Sequence, residues 1–363
     1  TDKTVVETYE DVKTDESKID EYLNNVLQLE AVACKDWLTN KVDRSITGKI
    51  ARQQCAGEIQ LPLNDLGAVT LDYRWKSGIA TSIGHAPMAA MIDPAAGSVL
   101  SIAEALTNIV WAPLTDGISS VSLSANWMWP CKNEGEDARL YKAVEACSNF
   151  ACSLGVNIPT GKDSLSMTQK YGDEKVYSPG TVIISAGAEI SDVRKIVGPV
   201  IQNKKGTAIY HIDFSFDELQ LGGSALAQTL NKIGAKTPYV TDSEYFVDAF
   251  ESVQELINKD LVLAGHDISA GGLITALLEM CFANTKGGLN VSLDSLVEND
   301  LVKILFSENP GVLIQVENCS EVEKILKDQG IGFAKIATVT EDRSIEVSKD
   351  GKKHSFDIDA LRD

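Results

Sequence analysis

Residues 101–108, SIAEALTN, set Glu104 and Asn108 one turn apart in a segment that otherwise reads as buried helix. Val99, Leu100, Ile102, Ala103, Ala105, Leu106, Ile109, Val110 and Trp111 leave only a narrow polar stripe, Ser101–Glu104–Asn108, at i, i+3, i+7 spacing. Read alone, such a stripe is a solvated helix face. Outward from this helix, taken as 95–111, the pattern alternates between strand-like and helical segments from about residue 56. GAVTLDY (67–73), ISSVSLSAN (118–126) and GTVIISAGAEI (180–190) read as strands, and 136–153 as a helix stopped by Gly155. The alternation restarts with TAIYHID (207–213), helices over 222–233 and 244–259, LVLAGHD (261–267), a helix over 270–283, GVLIQV (311–316) and FAKIATVT (333–340). This order predicts an α/β fold, or α+β layers.

Chain organisation follows from the breaks in that pattern. Residues 1–20 are acidic and weakly patterned, as a frayed arm would be, and IDEYLNNVLQLEAV (19–32) reads as a short amphipathic helix. VGPVIQNKKG (197–206) brackets a charged polar run with Pro and Gly and marks the domain boundary. The divisions are thus an arm and linker helix over 1–30, a first domain over 31–198 and a second over 199–363. A length of 363 residues with 44% hydrophobic and 23% charged residues suits two globular domains.

The 33 basic and 52 acidic residues give a net charge of −19, which argues against nucleic acid bound over a broad surface. A nucleotide held locally by a cation and backbone amides is compatible with it. No apolar run approaches a membrane span, and TDKTVVETYE forms no signal peptide. The seven cysteines are odd in number and contain no C-x-x-C pair, which fits a reduced, cytoplasmic protein.

Three further stretches could carry chemistry. In QLPLNDLGAVT (60–70), Asp65 precedes a strand, although Asn64-Asp65 alone is ordinary turn chemistry. In AGHDISAGGL (264–273) an apolar strand ends in His266-Asp267, and Ser269 with two glycines opens a helix. The free N–H groups of a helix start attract phosphate, and a carboxylate there can hold the accompanying cation; a helix capped by Ser269 is the alternative. In IPTGKDSLSM (158–167), Gly161, Lys162, Ser164 and Ser166 follow an apolar stretch without P-loop spacing, so a turn with a solvated lysine reads equally well. The four histidines, His85, His211, His266 and His354, form no zinc or triad signature.

Together these stretches resemble the second synthase half of the large, single-chain phosphoribosylformylglycinamidine synthases. The resemblance runs from about residue 28 to 345, through VACKDWLTNKVDRSITGKIARQQCAGEIQLPLND, IDPAAGSVLSIAEALTN, SLSANWMW, GEDARLY, IPTGKDSLSM, GHDISAGGL and FSENPGVLIQV. It implies the two-domain fold of aminoimidazole ribonucleotide synthase, with strands of the first domain joining a barrel shared between two halves. It also implies a piece of an ATP-dependent amidoligase of purine biosynthesis, whose partners are the first synthase half and a glutaminase domain. In that family ATP activates the amide oxygen of formylglycinamide ribonucleotide, and ammonia from glutamine displaces phosphate. A piece of this kind is inactive alone. The rivals are a self-sufficient homodimeric ATP-dependent enzyme of the same superfamily and a non-catalytic module completing a partner's site.

For individual residues, the resemblance implies Mg²⁺ on Asp65, Glu104, Asn108 and Asp267, and ATP or ADP at Lys35, Asn64, Asp65 and Ser269. It also brings Lys162 and Ser164 toward substrate phosphate. The nucleotide of this half is kept structurally, and no catalytic residue is assigned; His85, in SIGHAPMAA, is read as non-catalytic. Mg²⁺ prefers hard oxygen donors, and one helical turn lets a carboxylate and an amide oxygen converge on one ion. Strand alternation predicts that His266 turns away from such an ion if Asp267 points toward it.

Overall fold

Helix α1 (Ile19–Gln28) buries Ile19, Tyr22, Leu23 and Val26, the apolar side of its 3.6-residue repeat. The computed structural model describes residues 8–35, 37, 44 and 48–362. The first seven residues of the acidic arm, and most of the motif between 36 and 47, therefore lie outside the described residues. What is described of the arm is not frayed. Glu10 pairs with Lys232 at 3.2 Å and Glu16 with Lys352, while Tyr22 meets Phe306 edge to face, so arm and helix lie on the C-terminal part of the chain.

The first part contains β1 (Ile50–Arg52), β2 (Gly67–Thr70), β3 (Gly78–His85), α2 (Pro87–Ile92), α3 (Pro94–Ile109), β4 (Ser122–Met128), α4 (Glu136–Ser153), β5 (Asn157–Ser164), a hairpin of β6 (Thr168–Tyr171) and β7 (Glu174–Tyr177), and β8 (Thr181–Ile190). Six strands form one sheet in the order β1-β2-β3-β8-β4-β5. Along β3, buried and exposed residues alternate strictly, so one face packs on α3 and the other carries Ile79, Thr81 and Ile83 outward. Asp93 caps α3 by accepting from the Ala95 N–H, and Pro94 occupies its first turn. Gly84 makes the close approach possible: a Cβ there would lie 2.3 Å from the Ser101 carbonyl oxygen and the Ala105 nitrogen.

Two sequence expectations change here. The stretch 158–167 is mostly strand, not turn, because β5 pairs in parallel with β4 through Asn126↔Lys162 and Met128↔Ser164. An exposed edge strand has no apolar alternation to reveal it. The strand expected from 118 starts at Ser122, after a 3₁₀ turn over Gly117–Ser120.

The second part contains β9 (Ala208–Asp213), α5 (Ala225–Thr229), α6 (Ser243–Asn258), β10 (Val262–Asp267), α7 (Gly272–Phe282), β11 (Gly288–Ser292), α8 (Leu301–Phe306), β12 (Gly311–Val316), α9 (Cys319–Asp328), β13 (Phe333–Thr340), β14 (Ser344–Lys349), β15 (Lys352–Asp357) and α10 (Ile358–Arg362). Seven strands pair in the order β10-β12-β9-β13-β11-β14-β15. The helix expected over 222–233 is only the five residues of α5, which Ser224 caps and which ends before Asn231 at positive φ. Among the described residues, no helix is long and apolar enough to cross a membrane.

One continuous core joins the two sheets: Val99, Leu106 and Trp111 of the first part pack with Tyr210, Phe246 and Val312 of the second. The Gln254 side chain on α6 donates to the Val110 and Ala112 carbonyls and accepts from the Leu114 N–H. Trp111 lies against β10 at Gly265, where a Cβ would come within 2.1 Å of the indole. That contact sets how closely the end of α3 approaches the strand carrying Asp267. Gly265→Ala should therefore cost about 1–3 kcal/mol of stability through overpacking. Denaturant unfolding checks this, and an unchanged midpoint would contradict the assigned contact.

Candidate functional site

β10 ends in His266 and Asp267, and both side chains are buried. Its pairing with β12 (His266↔Leu313, Asp267↔Val312) fixes this end of the strand, and the loop before β2 brings Asp65 to the same place. The His266 Nδ1 lies 2.8 Å from Asp65 Oδ1 and 3.6 Å from Asp267 Oδ1, and its Nε2 is 3.0 Å from Glu279 Oε2 on α7. Potential ligand atoms of Asp65, His266 and Asp267 all fall within 4.8 Å of one another. The expectation that His266 turns away is thus corrected. Asp267 is the last residue of its strand, so its carboxylate is free to bend back toward the imidazole.

The polar atoms here are not mutually satisfied. Asp65 Oδ2 and Asp267 Oδ2 are buried without a hydrogen-bond partner. The approach of Nδ1 to Asp65 is close enough for an ion pair, but its angle is not that of a hydrogen bond. Burial drives the Asp65 carboxyl above its ordinary value despite the pull of His266. Burial and then the charge of Asp65 push Asp267 well above its own, with Glu104 and Glu279 adding to the effect. Burial opposes a charge on His266, but Asp65 and Glu279 outweigh it and hold the ring well above its usual value. One imidazole therefore shares a place with little water with several carboxyl groups, and burial disfavours the charged forms of Asp65 and Asp267 there.

Glu104 is close enough to act on Asp267 electrostatically, and its Oε2 accepts from the His85 N–H at 3.0 Å. Asn108, one turn on, donates its amide N–H to the Ile83 carbonyl at 2.9 Å, which leaves the amide oxygen as an acceptor. The His85 ring is half exposed, and the Glu104 carboxylate raises its pKa. A cavity of about 560 Å³ opens beside Glu104 and is lined by Lys35, Leu100, Gln228, Ser269 and Glu308 among others. Ser269 does not cap α7. Gly271 is the N-cap, at φ +92°, and the Glu308 carboxylate takes its N–H. Lys35 donates to the carbonyls of Glu30 and Ala33 at the rim.

Asn64 and Asp65 line a separate cavity with Arg52 and Ser82. The Asn64 amide donates to the Gln53 and Cys55 carbonyls and so braces the loop. Lys162 and Ser164 bond each other on β5 and line neither cavity.

Sequence reasoning passed over Glu279 and Glu308. Both carried the signal that singled out Glu104, an acid within an apolar run: ITALLEMCF and LFSENPGVL. Glu308 Oε1 accepts from both the Ala225 and Gly271 N–H groups, and burial still raises its pKa to about 7.

Residues 34–189 match the family model of the FGAR-AT PurM_N-like domain, and 204–350 that of the AIR synthase related protein C-terminal domain. A probable phosphoribosylformylglycinamidine synthase of Caenorhabditis elegans is 41% identical over 85% of this chain, and the phosphoribosylformylglycinamidine synthase of Homo sapiens is likewise 41% identical over 85%. Over most of its length the chain is similar to phosphoribosylformylglycinamidine synthases. It spans about a quarter of the length of these curated relatives, 24% and 23%. Among solved structures, Thermotoga maritima PurL complexed with FGAR superposes with a TM-score of 0.72 at 16% identity, over 95% of this chain and 53% of that one. The T. maritima PurL complexed with ADP covers 95% of this chain and 51% of that one, at a TM-score of 0.68 and 15% identity. These likenesses establish the AIR synthase-like fold.

Glu308 also makes the site pH-sensitive. Its ionisation is harder in the folded state, so stability is lost as pH rises from its ordinary value, 4.5, through about 7. Glu308→Gln keeps an acceptor oxygen for both N–H groups and removes that loss. Between about pH 5 and about pH 8, without divalent cations, the wild type should lose up to about 3 kcal/mol more than the variant. Equal pH slopes in thermal unfolding would contradict this assignment.

Proposed function

We propose that the chain is the second synthase half of a phosphoribosylformylglycinamidine synthase and holds a Mg²⁺–nucleotide between two synthase-like domains that divide at 198/199. The observation carrying this reading is the pair of buried, unpartnered oxygens, Asp65 Oδ2 and Asp267 Oδ2, in a cluster with too little positive charge. Such orphaned acceptors fit a hard divalent cation. Asp65, Glu104, Asp267 and the amide oxygen of Asn108 would hold it. When bound, Mg²⁺ would neutralise these carboxylates and the nucleotide phosphates.

The cavity beside Glu104 supports a nucleotide. Leu100, Pro238, Ile268 and Pro310 offer apolar walls to a base, and Ser269 and Lys35 line the same cavity with a hydroxyl and an ammonium group for phosphate. No group in the described cluster stands ready to activate an attacking water, since His266 is already held between carboxylates. The nucleotide is accordingly structural, retained as ADP or ATP.

The outward face of the first sheet supports a partner half. Val69, Ile79 and Ile83 are 37%, 38% and 59% exposed on adjacent strands, a contiguous apolar surface. The first synthase half would complete a shared barrel there. Lys162 and Ser164, on the edge strand β5, would reach substrate phosphate across the resulting cleft. With a glutaminase domain supplying ammonia, the whole enzyme would convert formylglycinamide ribonucleotide to the amidine at the expense of ATP, in the cytoplasm.

The test has two arms. The chain alone, given Mg-ATP, formylglycinamide ribonucleotide and ammonia, should show no turnover, and adding the separately produced remainder of the enzyme should restore it. Nucleotide at a hundred times its Kd should stabilise the wild-type chain by about 2.7 kcal/mol, an increment that Glu104→Ala loses. Sustained turnover by the chain alone would favour a self-sufficient enzyme. Equal stabilisation of wild type and variant would remove Glu104 from the site.

A further inference from the structure

Glu279 is out of place in its helix. Every other residue of α7 is buried and apolar or small, yet this carboxylate projects from it to meet His266. The imidazole is rigid, so a partner at one ring nitrogen fixes where the other nitrogen points. Here Nε2 is held by Glu279 at 3.0 Å, and Nδ1 lies 2.8 Å from Asp65 Oδ1. That contact is an ion pair without hydrogen-bond geometry, and on its far side Asp65 Oδ2 is unpartnered, in the same cluster as the unpartnered Oδ2 of Asp267. Glu279 thus fixes the ring, and the ring fixes where the positive charge sits against Asp65 Oδ1.

We propose that Glu279 is a positioning residue that acts through His266 to orient Asp65 Oδ2 toward a bound divalent cation. The proposal rests on the cation site of the preceding section. Partners one step behind a metal ligand typically change affinity by about 10–100-fold when removed. Glu279 is partly exposed at the wall of a neighbouring cavity of about 820 Å³, so its replacement leaves no sealed void in the core.

Mn²⁺, followed by electron paramagnetic resonance on the 363-residue chain, is the probe. Glu279→Ala should weaken Mn²⁺ binding by about 10–100-fold. Glu279→Gln, which keeps an acceptor oxygen for the Nε2–H, should weaken it by a smaller factor. Melting temperatures of the metal-free variants should match wild type, which separates positioning from a purely structural role. Mn²⁺ affinity within twofold of wild type in both variants overturns the proposal. So does a parallel fall in metal-free stability that Gln does not rescue. Imidazole nitrogen modulation in the spin-echo signal would make His266 a direct ligand and overturn the relay through Asp65. A wild-type chain that binds no Mn²⁺, with or without ATP, overturns the cation site itself and this proposal with it. Binding by wild type that both variants share leaves the cation site standing and removes Glu279 alone.

Discussion

Two carboxylates, Asp65 and Asp267, are buried against a single imidazole, and the rest of the molecule is arranged around that concentration of charge. Unpaired buried anions are costly, and a protein keeps them where something else is meant to compensate. Their two sources make the point. Asp65 comes from the loop before β2, and Asp267 from the last position of β10 in the other sheet. Neither sheet can hold the cluster alone, so the assembly of this cluster and the docking of the two sheets are one problem.

The docking is achieved by removing side chains where backbones must meet. Gly84 lets β3 lie on the α3 backbone and places the His85 N–H against Glu104. Gly265 lets Trp111 lie on β10, two residues before Asp267. Gln254 closes the seam by binding the three backbone groups that follow α3. A helix buried on nearly every side, with Glu104 as its only carboxylate, is what such a seam requires.

Much of this was legible in the residues, for identifiable reasons. Helix α4 ends where Gly155 adopts φ +72°, and β12 and β13 match their apolar runs residue for residue. Glu104 stood out because an acid in an apolar helix has no cheap structural explanation. By contrast, β3 was missed because its Gly, Ala and Ser residues carry little hydrophobic contrast, although they alternate perfectly in burial. The hairpin β14–β15 is charged and half exposed, and β5 is an exposed edge. The orientation of His266 failed for a different reason. Period-2 alternation governs residues inside a strand and loosens at its last position, where the ring and the carboxylate converge on one point.

The central claim is that a divalent cation compensates the Asp65–Asp267 cluster. Anomalous scattering from crystals of the chain grown with Mn²⁺ and ADP tests it most directly. A manganese peak is expected within direct coordination distance of Asp65 Oδ2 and Asp267 Oδ2. Crystals with ADP bound but no peak there, and with the two carboxylates hydrogen-bonded to protein or water instead, would contradict it.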